Sequence, residues 1–369
     1  GRAYRRCNVP LVSAPLDLAG DVVDLLRALI DIESVSGNEV EIADRVEEAL
    51  RPYDHLTVLR DGNVVLARTD LDRSERVVVA GHLDTVPLAG NLPSWTTHDG
   101  NGREIIWGRG ACDMKAGVAV QLSVAAALVR PARDVTWVFY DNEEVEASRN
   151  GLGRMAGEHP ELLQGSFAVL CEPTSARIEG GCQGTMLLQV ELTGVAAHSA
   201  RAWMGHNAIH DAGGVLQRLA SHQPEQIEVD GLTYHEGLNA VGITGGIAGN
   251  IIPDRCIVEV NYRFAPDKSA AQAEAYVREI LAGYSVQILD VAAGARPGLD
   301  QRAAAEFLRA VGGDASAKLG WTDVARFSSM GIPAVNFGPG DATKAHADDE
   351  FCPAEDVIAC RKALLRWLG

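Results

Sequence analysis

Val77-Val78-Val79-Ala80-Gly81-His82-Leu83-Asp84 joins a short, fully apolar run to two polar side chains. The aliphatic run predicts a strand that is buried on both faces, which is typical of a parallel sheet covered by helices. His82 and Asp84 come at its end and are two residues apart, so their side chains point to the same side of an extended chain. In open α/β sheets, functional groups collect at the carboxyl ends of the strands, so this pair is a candidate for binding or catalysis.

Other apolar runs alternate with segments of helical periodicity in the same way. Strand candidates lie at residues 76–80, 134–140, 166–171 and 332–337, and helix candidates lie at about residues 21–32, 115–129 and 354–368. Buried strands that are separated by helices predict an α/β domain with a mostly parallel sheet.

The pattern changes between residues 185 and 294. The order there is strand (186–192), helix (207–220), strand (240–245), strand (256–264), helix (269–282) and strand (285–289). This β-α-β-β-α-β order is that of a ferredoxin-like α+β unit. We therefore predict one α/β domain in two parts, residues 1–184 and 295–369, with a second domain at 185–294 inserted between them. Residues 1–15 start without Met and show no regular pattern, so we predict an irregular tail of processed or added origin.

Composition narrows the classes of partner. The chain has 369 residues and a formal net charge of -17, with 50 acidic against 33 basic residues. Such a negative field repels nucleic acid and anionic membranes, so we expect a small-molecule partner and neither nucleic acid nor membrane. The 7 cysteines are an odd number without a CxxC pair, and no apolar run reaches the roughly 18 residues of a membrane span. These features favour a reduced, cytoplasmic protein.

Further polar groups follow the other predicted strands. Asp141-Asn142-Glu143-Glu144 and Glu172 each come directly after a strand, Asp113 lies in a glycine-rich loop, and His346 comes late in the chain. Imidazole and carboxylate ligands together suit zinc, or less selectively cobalt or manganese. Two histidines and three carboxylates are too many for one tetrahedral catalytic ion, and they suit two ions that share a bridging carboxylate.

Each of these residues also has an ordinary structural explanation. A lone histidine at a strand end, such as His82, is often only hydrogen-bonded within the fold. Glu143-Glu144 could be a solvated pair, and Asp113 could cap the helix that follows it. The convergence of several groups from successive strand ends favours a site over these explanations.

Four segments of the chain resemble, in order, the motifs of the M20 family of metallo-aminoacylases and peptidases. They are Gly81-His82-Leu83-Asp84-Thr85-Val86-Pro87, Gly108-Arg109-Gly110-Ala111-Cys112-Asp113-Met114-Lys115, Glu143-Glu144 and Cys171-Glu172-Pro173. The resemblance extends over nearly the whole chain after the N-terminal tail. It implies that the α/β domain is a zinc-hydrolase catalytic domain, with two Zn2+ per subunit and Co2+ or Mn2+ as substitutes.

The resemblance also implies a role for each residue at the strand ends. Five would bind metal, with His82 and Glu172 on one zinc, Glu144 and His346 on the other, and Asp113 bridging the two. Asp84 would orient His82, because a ligating imidazole normally donates its other N–H to a carboxylate. Glu143, which is next to a ligand but not itself one, would be the general base.

A narrower resemblance is carried by Gly181-Cys182-Gln183-Gly184-Thr185, Ala197-His198-Ser199-Ala200-Arg201, Gly320-Trp321-Thr322-Asp323-Val324-Ala325-Arg326-Phe327 and Asn336-Phe337-Gly338-Pro339-Gly340-Asp341. It is to the actinobacterial desuccinylase branch of the family, and it implies hydrolysis of N-succinyl-LL-2,6-diaminopimelate to succinate and LL-2,6-diaminopimelate in lysine and diaminopimelate biosynthesis. Arg263 and Asn250 match positions that bind the substrate carboxylate in the family, and Thr322 and Arg326 are further candidates. Arg263 could instead form a structural ion pair.

In this family the inserted domain usually pairs two subunits. The histidine that matches His198 then reaches the partner's site, where it stabilises the oxyanion that forms on the amide carbonyl. The resemblance thus implies a homodimer, with residues 185–294 as a dimerisation and lid domain.

Two alternatives stay open. One is another member of the family, such as an acetylornithine deacetylase or a dipeptidase. The other is a non-catalytic relative that kept the fold and the metal, and an intact Glu143 beside intact ligands argues against it.

Overall fold

The computed structural model describes residues 15–369, which form two compact units. The first unit comprises the described residues up to Arg177 together with Phe337–Gly369, and the second unit is Ile178–Asn336. The predicted insertion at 185–294 lies wholly within the second unit, which also contains residues 178–184 and 295–336. The predicted tail, residues 1–15, lies outside the described residues except for its last position.

The secondary structure follows in chain order. The strands are β1 (Thr57–Asp61), β2 (Val64–Arg68), β3 (Arg76–His82), β4 (Trp95–His98), β5 (Glu104–Trp107), β6 (Asp134–Tyr140), β7 (Phe167–Leu170), β8 (Glu179–Gly180), β9 (Gly184–Thr193), β10 (Ala197–His198), β11 (Gln226–Val229), β12 (Leu232–His235), β13 (Gly237–Gly245), β14 (Ile251–Ile252), β15 (Arg255–Phe264), β16 (Ser285–Ala292), β17 (Ser316–Ala317), β18 (Ala334–Asn336) and β19 (Phe351–Pro353). The α-helices are α1 (Val22–Ile30), α2 (Val40–Leu50), α3 (Lys115–Ala127), α4 (Gly151–Glu158), α5 (Ala208–Ser221), α6 (Ala270–Ile280), α7 (Arg302–Val311), α8 (Val324–Ser329) and α9 (Ala354–Leu368). Short 3₁₀ turns lie at Ala147–Arg149, Pro160–Leu163, Ser199–Met204 and Ala342–Lys344.

Strand β3 is an interior strand of the main sheet. It pairs in parallel with β6 on one side and with β7 on the other. β2 runs antiparallel to β6, and β1 runs antiparallel to β2 at the edge. The predicted α/β fold with buried parallel strands is confirmed, and the carboxyl ends of β3, β6 and β7 lie at one edge of the sheet. The β1–β2 hairpin was not predicted, because β1 is half-exposed and carries polar residues.

Helix α3 begins directly after the predicted glycine-rich loop and is buried from Lys115 to Ala126. It contacts α1 and α9, and it is apolar on nearly every side because neighbours enclose it. A Cβ on Gly117 would lie 2.2 Å from the backbone oxygen of Cys171, so only glycine lets α3 lie this close to the end of β7. The loop before α3 is thereby held near the carboxyl ends of the strands.

The second unit contains the predicted β-α-β-β-α-β order as β9-α5-β13-β15-α6-β16, and this prediction is confirmed. Its four-stranded sheet has the antiparallel order β13-β15-β9-β16, as in ferredoxin-like folds. Alternate residues of β9 and β15 are buried, and they form one core with buried residues of α5 and α6. Strand β13 is therefore an edge strand, and its Val241 and Ile243 are 58% and 52% exposed.

Further strand pairings join strands of the same unit. In the first unit β5 lies between β19 and β4. In the second unit β8 pairs with β17 and β18, β11 pairs with β12, and β10 pairs with β14. Across residues 15–369 there is no helix whose length and hydrophobicity would suffice to cross a bilayer.

Candidate metal centre

His82 is the last residue of β3, and it is 1% exposed. Its Nδ1 lies 3.0 Å from the backbone oxygen of Asp84 and 3.5 Å from Asp84 Oδ1. The closer contact is to the carbonyl, and the carboxylate that is predicted to orient the ring lies just beyond it. In either case Nδ1 is engaged, and Nε2 is directed at Asp113, whose Oδ1 lies 3.1 Å away.

The carboxylate of Asp84 also holds the loop that follows β6. Oδ1 accepts the backbone N–H of Glu143 at 3.0 Å, and Oδ2 accepts that of Glu144 at 3.1 Å. Oδ2 also accepts the hydroxyl of Ser36 at 2.7 Å. Because Asp84 is fully buried, these bonds fix the positions of Glu143 and Glu144 relative to the end of β3.

Asp113 lies between two histidines. Its Oδ1 is 3.1 Å from His82 Nε2, and its Oδ2 is 3.4 Å from His346 Nε2. His346 Nε2 is also 2.9 Å from Glu144 Oε2, and His82 Nε2 is 3.9 Å from Glu172 Oε1. Each histidine therefore has its own carboxylate, and both share Asp113. The ligand atoms of His82, Asp113 and Glu144 all lie within 4.8 Å of one another.

Glycine at position 338 permits the last of these groups to approach. A Cβ on Gly338 would lie 2.3 Å from the backbone oxygen of Cys171 and 2.5 Å from that of Glu172. No side chain fits there, so only glycine lets the segment that leads to His346 pass beside the end of β7.

The electrostatics of the cluster favour a cation. Burial acts to lower the pKa of His82, but hydrogen bonds to Asp113 and Asp84 outweigh it and hold that pKa well above its ordinary value. The charges of Glu143 and Glu172 add to this, so both carboxylates lie near the imidazole. Hydrogen bonds to Asp113 and Glu144 raise the pKa of His346 to about 10. In the metal-free protein the imidazolium protons therefore balance the crowded carboxylates.

This donor set fits a metal pair. Two imidazoles and three carboxylates are ligands that zinc accepts, and Asp113 has one oxygen directed to each histidine. A divalent ion would take the place of the protons, because histidine ligates metal in its neutral form.

The structure places the other predicted site residues in the second unit. His198 is exposed in β10, and its Nδ1 accepts the backbone N–H of Ala200 at 3.1 Å. Asn250 lies beside it, since the backbone oxygen of Asn250 accepts the N–H of Ser199 at 2.9 Å. Arg263 on β15 is half-buried, and desolvation lowers its pKa. Within residues 15–369, no carboxylate lies within ion-pair distance of its guanidinium.

Thr322 and Arg326 have local partners. Thr322 is buried, and its hydroxyl donates to Asn336 Oδ1 at 2.8 Å. Arg326 is paired with buried Asp323 and lies over the ring of Trp321 at 5.6 Å. Both side chains therefore have structural roles beside any role in binding.

Two residues that bind backbone groups beside the candidate ligands were not predicted from the sequence. Glu350 is 1% exposed and accepts backbone N–H groups from the loop of Asp113, and Arg109 is ion-paired to it at 2.9 Å. Glu350 ends an acidic run, Asp348-Asp349-Glu350, which by composition looks solvent-exposed. Only the resemblance of the loop around Arg109 to a family motif gave a signal for either.

The fold and the donor cluster together define a metal-dependent hydrolase of the α/β class. The model of Peptidase family M20/M25/M40 matches residues 78–369. The chain belongs to this family, and the resemblance seen in the sequence is confirmed.

Known proteins resemble the chain over nearly its full length. A Mycobacterium tuberculosis protein named "Putative succinyl-diaminopimelate desuccinylase DapE" is 52% identical over 357 residues, covering 96% of this chain and 99% of that protein. The succinyl-diaminopimelate desuccinylase of Corynebacterium glutamicum is 44% identical over 365 residues, covering 96% and 98%. Among solved structures, a Staphylococcus aureus tripeptidase aligns with a TM-score of 0.77 at 20% identity, covering 96% of this chain and 98% of that chain. This last likeness concerns the fold alone.

Zinc binding should release protons. At pH 7 the raised pKa values of His82 and His346 keep both imidazoles protonated in the metal-free protein, whereas the bound form needs them neutral. We expect about one proton released per histidine ligand. As the pH rises toward the pKa of His346, about 10, fewer protons should be released from its imidazole when zinc binds. Zinc should also bind more tightly, because fewer protons compete for the ligand. Calorimetric titration in buffers of different ionisation enthalpy measures this number, and His346→Ala should lower it by about one. A binding enthalpy that is the same in every buffer would contradict the prediction.

Proposed function

We propose that the protein hydrolyses N-succinyl-LL-2,6-diaminopimelate to succinate and LL-2,6-diaminopimelate. The observation that carries the proposal is the position of Asp113 between His82 and His346, each of which has a second carboxylate beside it. The choice of substrate is supported by the names of the M. tuberculosis and C. glutamicum relatives, both of which match almost end to end. An acylated amino acid is also the kind of substrate that an M20 amidohydrolase takes.

Two zinc ions would be held by the cluster, with Co2+ or Mn2+ as substitutes. His82 and Glu172 would bind one, Glu144 and His346 the other, and Asp113 would contribute one oxygen to each. Zinc in such a site supplies a Lewis acid that lowers the pKa of water and polarises the scissile carbonyl.

Glu143 would act as the general base. It is adjacent to Glu144, and Asp84 holds the backbone N–H of both residues, so the carboxylate is fixed near the cluster while Glu144 takes the ligand position. A carboxylate oxygen of Glu143 would accept the proton of the attacking water and then deliver it to the nitrogen of the leaving amine. Asp84 would contribute by holding His82 and this loop together.

Arg263 and Asn250 would anchor the substrate carboxylates. Arg263 fits this role because its guanidinium is half-buried and, in the described part of the chain, has no carboxylate partner. A desolvated cation of this kind gains most from an anionic ligand. Thr322 and Arg326 are weaker candidates, since each already has a local partner.

A homodimer through the second unit would complete the site. His198 is exposed, so it is available to a partner, and it would donate to the oxyanion that develops on the amide carbonyl. The edge strand β13 with exposed Val241 and Ile243, and the neighbouring helix α5 with exposed Ile209 and Leu216, offer an apolar surface for pairing. We also infer a cytoplasmic location, supported by the free thiols of the described cysteines.

Direct turnover measurements test the substrate. Purified protein with added zinc should release succinate from N-succinyl-LL-2,6-diaminopimelate with a higher kcat/KM than it releases acetate from acetylornithine. Prolonged chelation should abolish the reaction, and zinc should restore it. Faster turnover of acetylornithine would favour the alternative deacetylase. A folded, zinc-loaded protein that turns over neither compound would favour the non-catalytic alternative.

Subunit exchange tests the roles of Glu143 and His198. Homodimers of Glu143→Ala should bind zinc and lose about 10²-fold or more in turnover, and His198→Ala homodimers should also be nearly inactive. In a mixed dimer one site has both residues intact and the other has neither. Random pairing makes half of the dimers mixed, so roughly a quarter of the wild-type activity should return on mixing.

Two controls make this exchange interpretable. His235→Ala, which removes an exposed histidine of the second unit outside β13 and α5, should keep wild-type turnover. Labelled subunits should show that exchange occurs. Demonstrated exchange without any return of activity would exclude action of His198 across the interface.

A further inference from the structure

We propose that the buried pair Arg109 and Glu350 is a positioning device that sets the distance between Asp113 and His346, and thereby the zinc affinity of the centre. The pair contacts the backbone of both segments that carry these two residues. The inference rests on the metal site proposed above, and it concerns residues that are not themselves ligands.

Glu350 holds the loop that ends at Asp113. Oε1 accepts the backbone N–H of Cys112 and of Asp113, both at 3.0 Å. Oε2 accepts the N–H of Gly110 at 3.0 Å and Nη1 of Arg109 at 2.9 Å. Both carboxylate oxygens are therefore used twice, and the peptide that carries Asp113 is fixed by the same group as the turn before it. A charged carboxylate makes stronger hydrogen bonds to backbone N–H groups than a neutral acceptor does.

Arg109 holds the segment that carries His346. The same Nη1 that contacts Glu350 lies 3.1 Å from the backbone oxygen of Ala347, the residue after His346. His346 has a φ of +65°, in the left-handed region that is unfavourable for a residue other than glycine. Such a conformation persists only where the surroundings impose it, and the bond from Arg109 lies one peptide away. One buried ion pair thus joins the two ligand segments through their main chains.

Burial indicates why this pair matters for geometry more than for stability. The side chains of Arg109 and Glu350 are 3% and 1% exposed. The desolvation of two such charges offsets most of their attraction, so a buried pair contributes little net stability compared with an apolar pair of similar size. What an apolar pair cannot supply is a set of directed bonds to backbone groups beside Asp113 and His346. Groups that orient metal ligands in this way normally change metal affinity when they are removed.

A matched control lies at the start of β6, at the end of the main sheet opposite His82. Asp134, the first residue of β6, is 4% exposed and also receives backbone donors, from Leu71 and Arg73 at 2.9 Å each. It also accepts the hydroxyl of Thr69 at 2.9 Å. Asp134 and Glu350 are therefore both buried carboxylates that hold a loop by its backbone N–H groups. Of the two, only Glu350 holds the loop that carries a proposed metal ligand. Neutralising Asp134 should lower the stability of the fold without changing its affinity for zinc.

The experiment compares Glu350→Gln with Asp134→Asn. In Glu350→Gln one oxygen becomes an NH2 group, so two of the four donors lose their acceptor while the side-chain volume is kept. Zinc affinity of the metal-free protein is measured by competition with a chromophoric chelator, and folding is measured by thermal unfolding without metal. We expect Glu350→Gln to weaken zinc binding about 10- to 100-fold, and Asp134→Asn to lower the unfolding temperature with unchanged zinc affinity.

Arg109→Lys provides a second test if Glu350→Gln does not fold. A lysine keeps the charge but lacks the planar fork of arginine. We expect it to weaken zinc binding about 10-fold relative to the wild-type protein. Wild-type zinc affinity in the folded variants, or an equal loss in Asp134→Asn, would overturn the proposal. Because binding is measured directly, failure to hydrolyse succinyl-diaminopimelate has no bearing on this result, whereas a wild-type protein that binds no zinc would overturn the metal site and this proposal together.

Discussion

One shared carboxylate governs the arrangement of the site. Asp113 has one oxygen 3.1 Å from His82 and the other 3.4 Å from His346, and each histidine has a further carboxylate near it. Acidic groups this close repel one another unless cations lie between them. In the metal-free protein that role falls to protonated imidazoles, and a divalent metal pair fits the same positions. The first unit holds these candidate ligands in place in spite of the repulsion.

The fold keeps them in place with buried carboxylates that bind backbone N–H groups. Asp84 holds the peptides of Glu143 and Glu144, and Glu350 holds those of the loop before Asp113. Glu39, which is fully buried, accepts the N–H of Asn142 at 3.2 Å and so supports the same turn after β6. Each of these groups fixes a loop beside the cluster, so the side chains of the candidate ligands are oriented by the metal-free protein itself.

Local sequence patterns predicted most of the strands, helices and candidate ligands. Contacts between residues far apart along the chain could not be predicted. The apolar run that ends in His82 predicted β3 and the strand-end cluster, because a strand buried on both faces appears in the sequence as consecutive apolar residues. The ferredoxin-like order of the second unit was predictable for the same reason, from alternation and helical periodicity. Glu350 was not predictable, since Gly110, to which it bonds, is 240 residues away, and an acidic run has no local sign of burial. Asp84 was assigned only to His82, because its bonds to the loop after β6 join two different strand ends.

Crystals of the zinc-loaded protein, examined by anomalous diffraction at the zinc edge, test the shared carboxylate most directly. The account predicts two peaks roughly 3.5 to 4 Å apart, one on each side of Asp113. One peak should lie beside His82 and Glu172, and the other beside Glu144 and His346. A single zinc at full loading, or two zincs of which only one contacts Asp113, would contradict it.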